Sequence, residues 1–449
     1  MQTPHSGRRE TTRARTAPGD GTLYRLLAVV TAVFALAARP VLIGAFVLGV
    51  ALPAGAQSSN INVQCPDRTV LHPAGGTAIK CGHLVAGDGM VRMADGKELY
   101  IFGFAALPGG AAAPAPNTPE YPGWVIAEGT LAANAPAPTI AVDEDDELFL
   151  TLTNVGMAMR PDLFDPHSVH WHGFPQAASI FDGVPDSSIS INMGASLTYY
   201  YNAKDAGTYM YHCHVEATEH MQMGMLGNLY VRPRQNRCEA IPDNPAIPGS
   251  ACPGGHVPGS TKYAYNDGDG TTRYDVEYPI QIGSFDPDFH DASFNVQPLP
   301  FAGMKDRYFL LNGRGYPDTV HPGVLSTIDP LGKEQPSQPV PSLITALPGK
   351  RILLRISNLN VTQFNTLGTN GIPMEVVGLD ARLLRDGAGN NMYYKTNSLT
   401  LGGGQSADVI LDTTGLASGS RYFLYSKNLH KLANDAENFG GMMTEIRIQ

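Results

Sequence analysis

Charge is scarce in this chain. Only 16% of its 449 residues are Asp, Glu, Lys or Arg, against about 25% in a typical soluble protein. A coiled coil and a highly charged disordered chain are thereby excluded. Long 3.6-residue periodicity is missing beyond the first 56 residues, which removes a helical bundle. Positive charge falls short of negative: 31 Lys and Arg face 41 Asp and Glu, for a net charge of −10. That balance repels phosphate backbones and argues against nucleic acid as a partner. Cysteine is rare, at five residues, and an odd number leaves one thiol outside any intramolecular pairing. No apolar run after residue 56 is long enough to span a bilayer.

Abundant turn formers fill the space left by these absences. The chain has 49 Gly and 35 Pro, with 43% hydrophobic residues, enough apolar material for real cores. Many turns and little charge suit an all-β protein, and the length allows two or three domains.

The first 56 residues stand apart. Arg8, Arg9, Arg13, Arg15, Arg25 and Arg39 precede or interrupt apolar stretches, and Ala54-Gly55-Ala56 closes the last of them. A basic region, an apolar run and a small-x-small end describe a secretory signal cleaved before Gln57. Arg39-Pro40 splits the apolar run, against one continuous membrane span. Removal of this segment takes away six Arg and two acids, so the remaining chain carries −14. The expected location is periplasmic or secreted, where disulfides persist. Cys65 and Cys81 lie close in sequence, as do Cys238 and Cys252, and each pair is expected to close a local loop. Cys213 is left over as a reactive thiol or a ligand.

Along the chain, residues 57–119 read as a Cys-bearing N-terminal extension that ends in the Pro/Ala-rich stretch Pro108–Pro119. Residues 120–235 show short β runs with turns between them: Thr139–Val142, Glu147–Thr153, Ser196–Tyr201 and Gly227–Val231. Residues 236–273 are rich in Pro, Gly and Asn and read as a linker. The β pattern resumes over 274–449, at Tyr278–Ile282, Tyr308–Leu311, Arg351–Ile356, Met374–Gly378, Asp408–Leu411, Tyr422–Tyr425 and Thr444–Ile448. Two tandem β-sandwich domains are the natural reading.

Six of the 13 histidines fall in two short segments, His167-Ser168-Val169-His170-Trp171-His172-Gly173 and His212-Cys213-His214 followed by His220 and Met225. Side chains alternate across a strand. If Tyr211–Val215 is extended, His212 and His214 face one way and Cys213 the other, so one strand serves two metal sites back to back. His170 and His172 repeat the i, i+2 spacing, and His167 lies an odd number of positions before His170. One Cys, two His and a long axial Met form a blue-copper electron-transfer set; Cys213, His167, His220 and Met225 fit it. His170, His172, His212 and His214 then make an imidazole-only cluster suited to further copper ions that handle a small oxidant. Trp171 points away from the ligands and is expected in the core. The bland alternative for the methionines at 210, 221, 223 and 225 is simple packing.

These segments resemble the multicopper oxidases, whose pattern is His-Pro-x-His-x-His-Gly plus His-Cys-His with a following His and Met. The stretches Phe181–Asp186, Gly207–His212 and Ala137–Val142 leading to Leu152-Thr153-Asn154 are similar to the family's first domain. The likeness is strong over 120–235 and looser over 274–449, through Leu311-Asn312-Gly313, Val376–Asp380 and Gly404–Val409. The resemblance implies two tandem cupredoxin-like Greek-key β-sandwiches. It also implies a catalytic acid: Asp182 matches a carboxylate that delivers protons near the cluster in laccases. The function implied is a copper oxidase. A small donor, a phenol or a metal ion such as Cu(I), Fe(II) or Mn(II), would supply electrons singly for reduction of dioxygen.

Three departures from the family pattern bear on that expectation. The spacing from Cys213 to His220 is two residues longer than in laccase-like members; Thr218 holds the usual position and is a poor ligand, so His220 is the ligand chosen. The blue site lies in the first domain, as in some two-domain oxidases and the copper nitrite reductases, which form trimers; a homotrimer and a nitrite-reductase-like activity follow as alternatives. The second domain lacks the two His pairs that complete a trinuclear cluster. Its matching segments read Gln363–Gly368 and Tyr425–His430, with only His430 near the right place, while His290 and His321 are isolated and expected at the surface. A non-catalytic blue-copper electron carrier is therefore a further alternative. Glu216 and Glu219, ahead of His220, either attract a cationic donor or are solvated loop charges.

Overall fold

The computed structural model describes residues 61–237, 253, 255–257 and 259–449. The segment read as an export signal and the Cys238/Cys252 pair lie outside the described residues. Among the described residues no helix is long and apolar enough to cross a membrane.

The first sandwich is built from β1 (Ile79–Arg92), β2 (Glu98–Ala106), β3 (Ala137–Asp143), β4 (Glu147–Gly156), β5 (His170–His172), β6 (Ser196–Asn202), β7 (Gly207–His212) and β8 (Leu226–Arg232). One sheet runs β2-β1-β4-β6 and the other β3-β8-β7-β5. Strands β1 and β2 correct the sequence reading, in which 57–119 is an appendage. They pair antiparallel with each other, and β1 lies parallel to β4 from Ile79↔Glu147 onward. Four glycines, at 82, 87, 89 and 103, dilute the strand signal there. Two of them have a packing reason: a Cβ on Gly103 would lie 2.9 Å from the Ala133 Cβ, and one on Gly89 3.1 Å from the same atom. A disulfide joins Cys65 to Cys81 at the start of β1. Helix α1 (Tyr121–Gly129) packs beside this sheet. It is tied by His83, whose ring nitrogens meet the Tyr121 hydroxyl at 2.6 Å and Thr153 Oγ1 at 2.7 Å.

The facing sheets bury Leu150, Leu152, Tyr199, Tyr201, Tyr211 and Leu229. Trp171 is fully buried among them, stacked on Tyr201 at 3.9 Å between ring centroids, as expected.

The second sandwich pairs a sheet containing Val276–Phe285, Arg351–Asn358, Met374–Leu379 and Gln405–Asp412 with one containing Asn365–Thr369, Arg421–Ser426 and Met443–Ile448. Each β run read from sequence falls inside one of these strands or inside Tyr308–Leu311. The architecture is all-β, two sandwiches in tandem. The linker is not featureless: Lys262–Tyr263 pairs with Arg273–Tyr274, and Tyr263, Tyr265 and Tyr274 are buried.

A polar lock and an apolar seam join the sandwiches. Arg355, fully buried, meets Glu277 at 3.0 Å and Asp408 at 3.3 Å and lies over the Tyr230 ring at 4.7 Å. Asp408 also accepts from Thr208 Oγ1 on β7 and from the Tyr265 hydroxyl, each at 2.6 Å. Arg232 on β8 reaches Glu277 at 2.8 Å. The seam places Val91, Leu99 and Ile101 of β1 and β2, and Met93 just beyond β1, against Phe285, Tyr308 and Leu310. Strand β7, which ends at His212, is therefore fastened to the second domain four residues before that histidine.

Candidate metal centres

Strand pairing along β7 stops at His212, short of the extension to Val215 expected from sequence. The division of faces survives because the Cys213 amide still donates to the Met225 carbonyl at 3.1 Å. Cys213 turns into the core of the first sandwich, while His212 and His214 line a cavity on the opposite side.

The longer spacing after Cys213 has a structural cause. Glu216 sits in the left-handed region, at φ 44°, and reverses the chain into α2 (Ala217–Gln222). One turn of that helix carries His220 back, so its Nδ1 stands 3.2 Å from Cys213 Sγ. Gly224, at φ 115°, turns the chain out toward β8, and the Met225 amide donates to the His220 carbonyl at 2.8 Å. His167, held to Ile191 by a two-residue bridge, places Nδ1 3.9 Å from the same sulfur. The Ser168 amide donates to Sγ at 3.4 Å. His167, Cys213, His220 and Met225 are all fully buried. Ligand atoms of the first three lie within 4.8 Å of one another.

This donor set fits copper. A thiol and two imidazole nitrogens converge, with a methionine beside them in the chain, in a pocket closed to water. The Nε2 atoms of His167 and His220 are buried without a hydrogen-bond partner, so Nδ1 is the nitrogen each ring offers inward. Burial holds His167 well below the usual imidazole range. Burial also pulls on His220, but the adjacent Cys213 and Asp165 outweigh it and push the ring up to about 10. Asp165 lies 3.9 Å from its outward Nε2. Glu219 is half-buried beside this edge and is raised to about 7 by burial.

The second set lies across the strand. His170 and His212 are directly opposed in the β5–β7 ladder. Ring centroids of His170 stand 5.2 Å from His212, 5.1 Å from His214 and 5.8 Å from His172. His170, His172 and His212 each bring one nitrogen within 4.8 Å of the others. Two tautomers are set by acceptors that cannot donate: His170 Nδ1 donates to the Asp182 carbonyl at 2.6 Å and His212 Nδ1 to the Cys213 carbonyl at 2.7 Å. Each ring is left with Nε2 as its lone pair. Burial lowers His170 and His172 and, with the neighbouring imidazoles, brings His212 to about 3. The shifts favour the neutral imidazole, the form in which histidine binds a metal.

The Asp182 carboxylate lies beside this ring, its Oδ1 3.5 Å from His170 Nδ1. The turn that places it depends on Gly183, at φ 78°, where an added Cβ would land on the Val169 carbonyl of the chain entering β5.

A cavity of about 530 Å³ opens over the four histidines. Its far wall is the second domain, Leu359–Phe364 and Gly403–Gly404. Gly404, at φ 86°, comes so close that a Cβ would lie 2.7 Å from His172 Nε2. In the second domain Asn365–Thr369 pairs with Arg421–Ser426, and Leu367 opposes Ser426. His430 is not at the cavity; it packs edge-on against Phe309. His290 corrects the expectation of a surface residue. It is fully buried, with ring nitrogens 2.6 Å from the Tyr100 carbonyl and 3.0 Å from the Gln222 carbonyl. His321 is exposed, as expected.

Known proteins resemble this chain in sequence and in fold. Two family profiles, both described as multicopper oxidase, match residues 127–236 and 299–443, together more than half of the chain. Multicopper oxidase MCE of Talaromyces pinophilus is 36% identical over 103 residues, 22% of this chain and 16% of that protein. Multicopper oxidase MmcO of Mycobacterium tuberculosis is 32% identical over 102 residues, 23% of this chain and 19% of that protein. The matched stretch thus spans less than a fifth of the length of these relatives. Among solved structures, the blue copper oxidase from Nitrosomonas europaea aligns with a TM-score of 0.55 at 20% identity, covering 82% of this chain and 86% of that one. A copper nitrite reductase from the same organism aligns with a TM-score of 0.51 at 16% identity, covering 83% and 94%. At such identity the structural likeness speaks for the fold.

Proposed function

The chain belongs to the multicopper oxidase family, and we propose that it works as an exported copper oxidase that takes electrons singly from a small donor and reduces dioxygen. The observation that carries this reading is the back-to-back arrangement of two ligand sets on one strand: Cys213 is bonded through the backbone to both His212 and His214. Cys213, His167, His220 and Met225 would hold a copper ion supplying one-electron redox chemistry, and His170, His172, His212 and His214 would hold copper suited to dioxygen. The protein's own part is to fix the ligands and supply protons. The carbonyls of Asp182 and Cys213 lock the tautomers of His170 and His212. The Asp182 carboxylate can hold and deliver a proton beside His170. Asp165 and Glu219 give the outer edge of His220 an acidic rim, which suits a cationic or hydroxyl-bearing donor.

Export is part of the proposal. It rests on the basic and apolar segment 1–56 and is consistent with the Cys65–Cys81 disulfide, since such bonds persist in oxidising compartments. Assembly into trimers is also proposed, and is checked by the mass in solution.

The test is optical. Copper loading is expected to produce a strong thiolate-to-copper absorption band, with oxygen uptake once a donor is added. Cys213→Ser is expected to stay colourless. A copper-loaded wild type without the band would refute the reading. The position of the Cys213 set in the first domain also favours a nitrite-reductase-like alternative. Anaerobic incubation with nitrite and a competent donor separates the two: release of nitric oxide would favour the alternative, and its absence would remove it.

A further inference from the structure

We infer that the four-histidine centre is closed by this chain's own second domain and holds at most two copper ions, with the Gln363 carboxamide facing them. The inference rests on the proposed function for the presence of copper, and it departs from the three-ion cluster of the family.

The ligand count comes first. Catalytic metal sites, best characterised for zinc, keep about three protein ligands and one open position. Four imidazoles can serve one ion fully, or two ions with two donors each, and they leave nothing for a third. The four rings lie together: His170, His172 and His212 form one three-nitrogen set, and the His214 ring centroid stands 5.1 Å from that of His170 and 5.6 Å from that of His212.

A second copy of the chain does not repair the deficit. Seven histidines remain outside the two ligand sets, and no two of them are spaced i, i+2. Neither a homodimer nor a homotrimer can therefore bring a further His-x-His strand to the centre. Two of the seven, His83 and His290, already have both ring nitrogens engaged.

The wall over the centre is instead made of Leu359–Phe364 and Gly403–Gly404 of the same chain. No His, Cys, Asp or Glu occurs in either stretch. The polar side chains there are Asn360, Thr362 and Gln363, and two of them are committed. Asn360 Oδ1 accepts from the amides of Thr362 and Gln363 at 2.8 and 2.9 Å, and its amide nitrogen donates to Ser284. The Thr362 hydroxyl donates to Asp306. The Gln363 carboxamide makes no hydrogen bond among the described residues and lines the cavity. It can offer an oxygen to an ion, or a donor to whatever the ion binds.

The experiment counts copper. Cys213→Ser removes the thiolate set and leaves the four-histidine centre, so its copper content after loading and desalting reads that centre alone. One or two equivalents per chain are expected; three, or none, overturn the inference. If this variant does not fold by circular dichroism, the wild-type total decides: two or three equivalents support the inference and four overturn it. Failure of the proposed function has a different signature, a wild type without the blue band. Gln363→His tests the wall. It is expected to hold copper in the Cys213→Ser background against roughly tenfold more chelator, the scale on which even outer partners of a ligand act. Unchanged retention would show that residue 363 does not face the ions.

Discussion

Asp408→Ala should uncouple the two sandwiches at a cost of several kcal/mol. The carboxylate is fully buried and takes three donors: Thr208 Oγ1 and the Tyr265 hydroxyl at 2.6 Å, and Arg355 Nη1 at 3.3 Å. Its removal leaves part of the Arg355 charge uncompensated in a site without solvent, which costs about 3–5 kcal/mol for a buried pair. Arg355 is not wholly stranded, because Glu277 remains at 3.0 Å. The expected loss therefore lies near the lower bound, about 3 kcal/mol. That is a large share of a typical stability of about 5–15 kcal/mol. Urea unfolding at pH 7 followed by tryptophan fluorescence measures it, since Trp171 lies in the core of the first domain. A double-mutant cycle then separates a lost pair from a general defect. With Arg355→Met added, the stranded charge is gone, so the double variant should be more stable than the two single losses added together, by at least about 1 kcal/mol. A single-variant loss below about 1 kcal/mol, or strict additivity in the cycle, would refute the reasoning. Function should follow stability here: Thr208 is on the strand that leads into His212, so copper release from the loaded Asp408→Ala variant should be faster than from wild type.

Three other outcomes follow from named contacts. Gly183→Ala forces a side chain into the left-handed region and onto the Val169 carbonyl, and should cost at least about 2 kcal/mol in thermal unfolding; a change within about 0.5 kcal/mol would contradict the packing argument. His83 is held by burial at about 4 instead of 6.5. The unfolded chain therefore binds its proton first, and about 3 kcal/mol present above pH 6.5 should be lost progressively as the pH falls to about 4. His83→Gln should flatten that part of the stability–pH curve, and an unchanged curve would rule His83 out as its source. Asp182→Asn should keep the blue absorption band yet slow oxygen uptake by about a hundredfold, the usual size of a proton-transfer contribution. An undiminished rate would remove Asp182 from proton delivery.

Legibility in the sequence depended on how local each signal is. Strands such as Tyr278–Ile282 and Tyr422–Tyr425 were readable because alternation needs only a few neighbours. The shared faces of the two histidine-rich segments were readable because i, i+2 spacing on a strand dictates a shared face whatever the rest of the fold does. Strands β1 and β2 were missed because glycine weakens a strand signal, although Gly103 is there to admit Ala133 and Asn134 against the backbone. The short helix α2 was read as a longer loop, since its start is a left-handed Glu216 and not a recognisable cap. The helix Pro287–Phe294 did carry a usable signal, Asp286 as cap with Pro at the first turn, and it buries His290. Nothing local could reveal that burial, because the carbonyls engaged by His290 lie 190 and 68 residues away. The same reason hid the Arg355 lock, whose Asp408 and Thr208 partners are 53 and 147 residues distant. Sequence alone could show that the second domain holds no His-x-His pair. Only the fold shows that this domain nonetheless walls the cavity over His170, His172, His212 and His214 and is fastened to the strand that ends at His212.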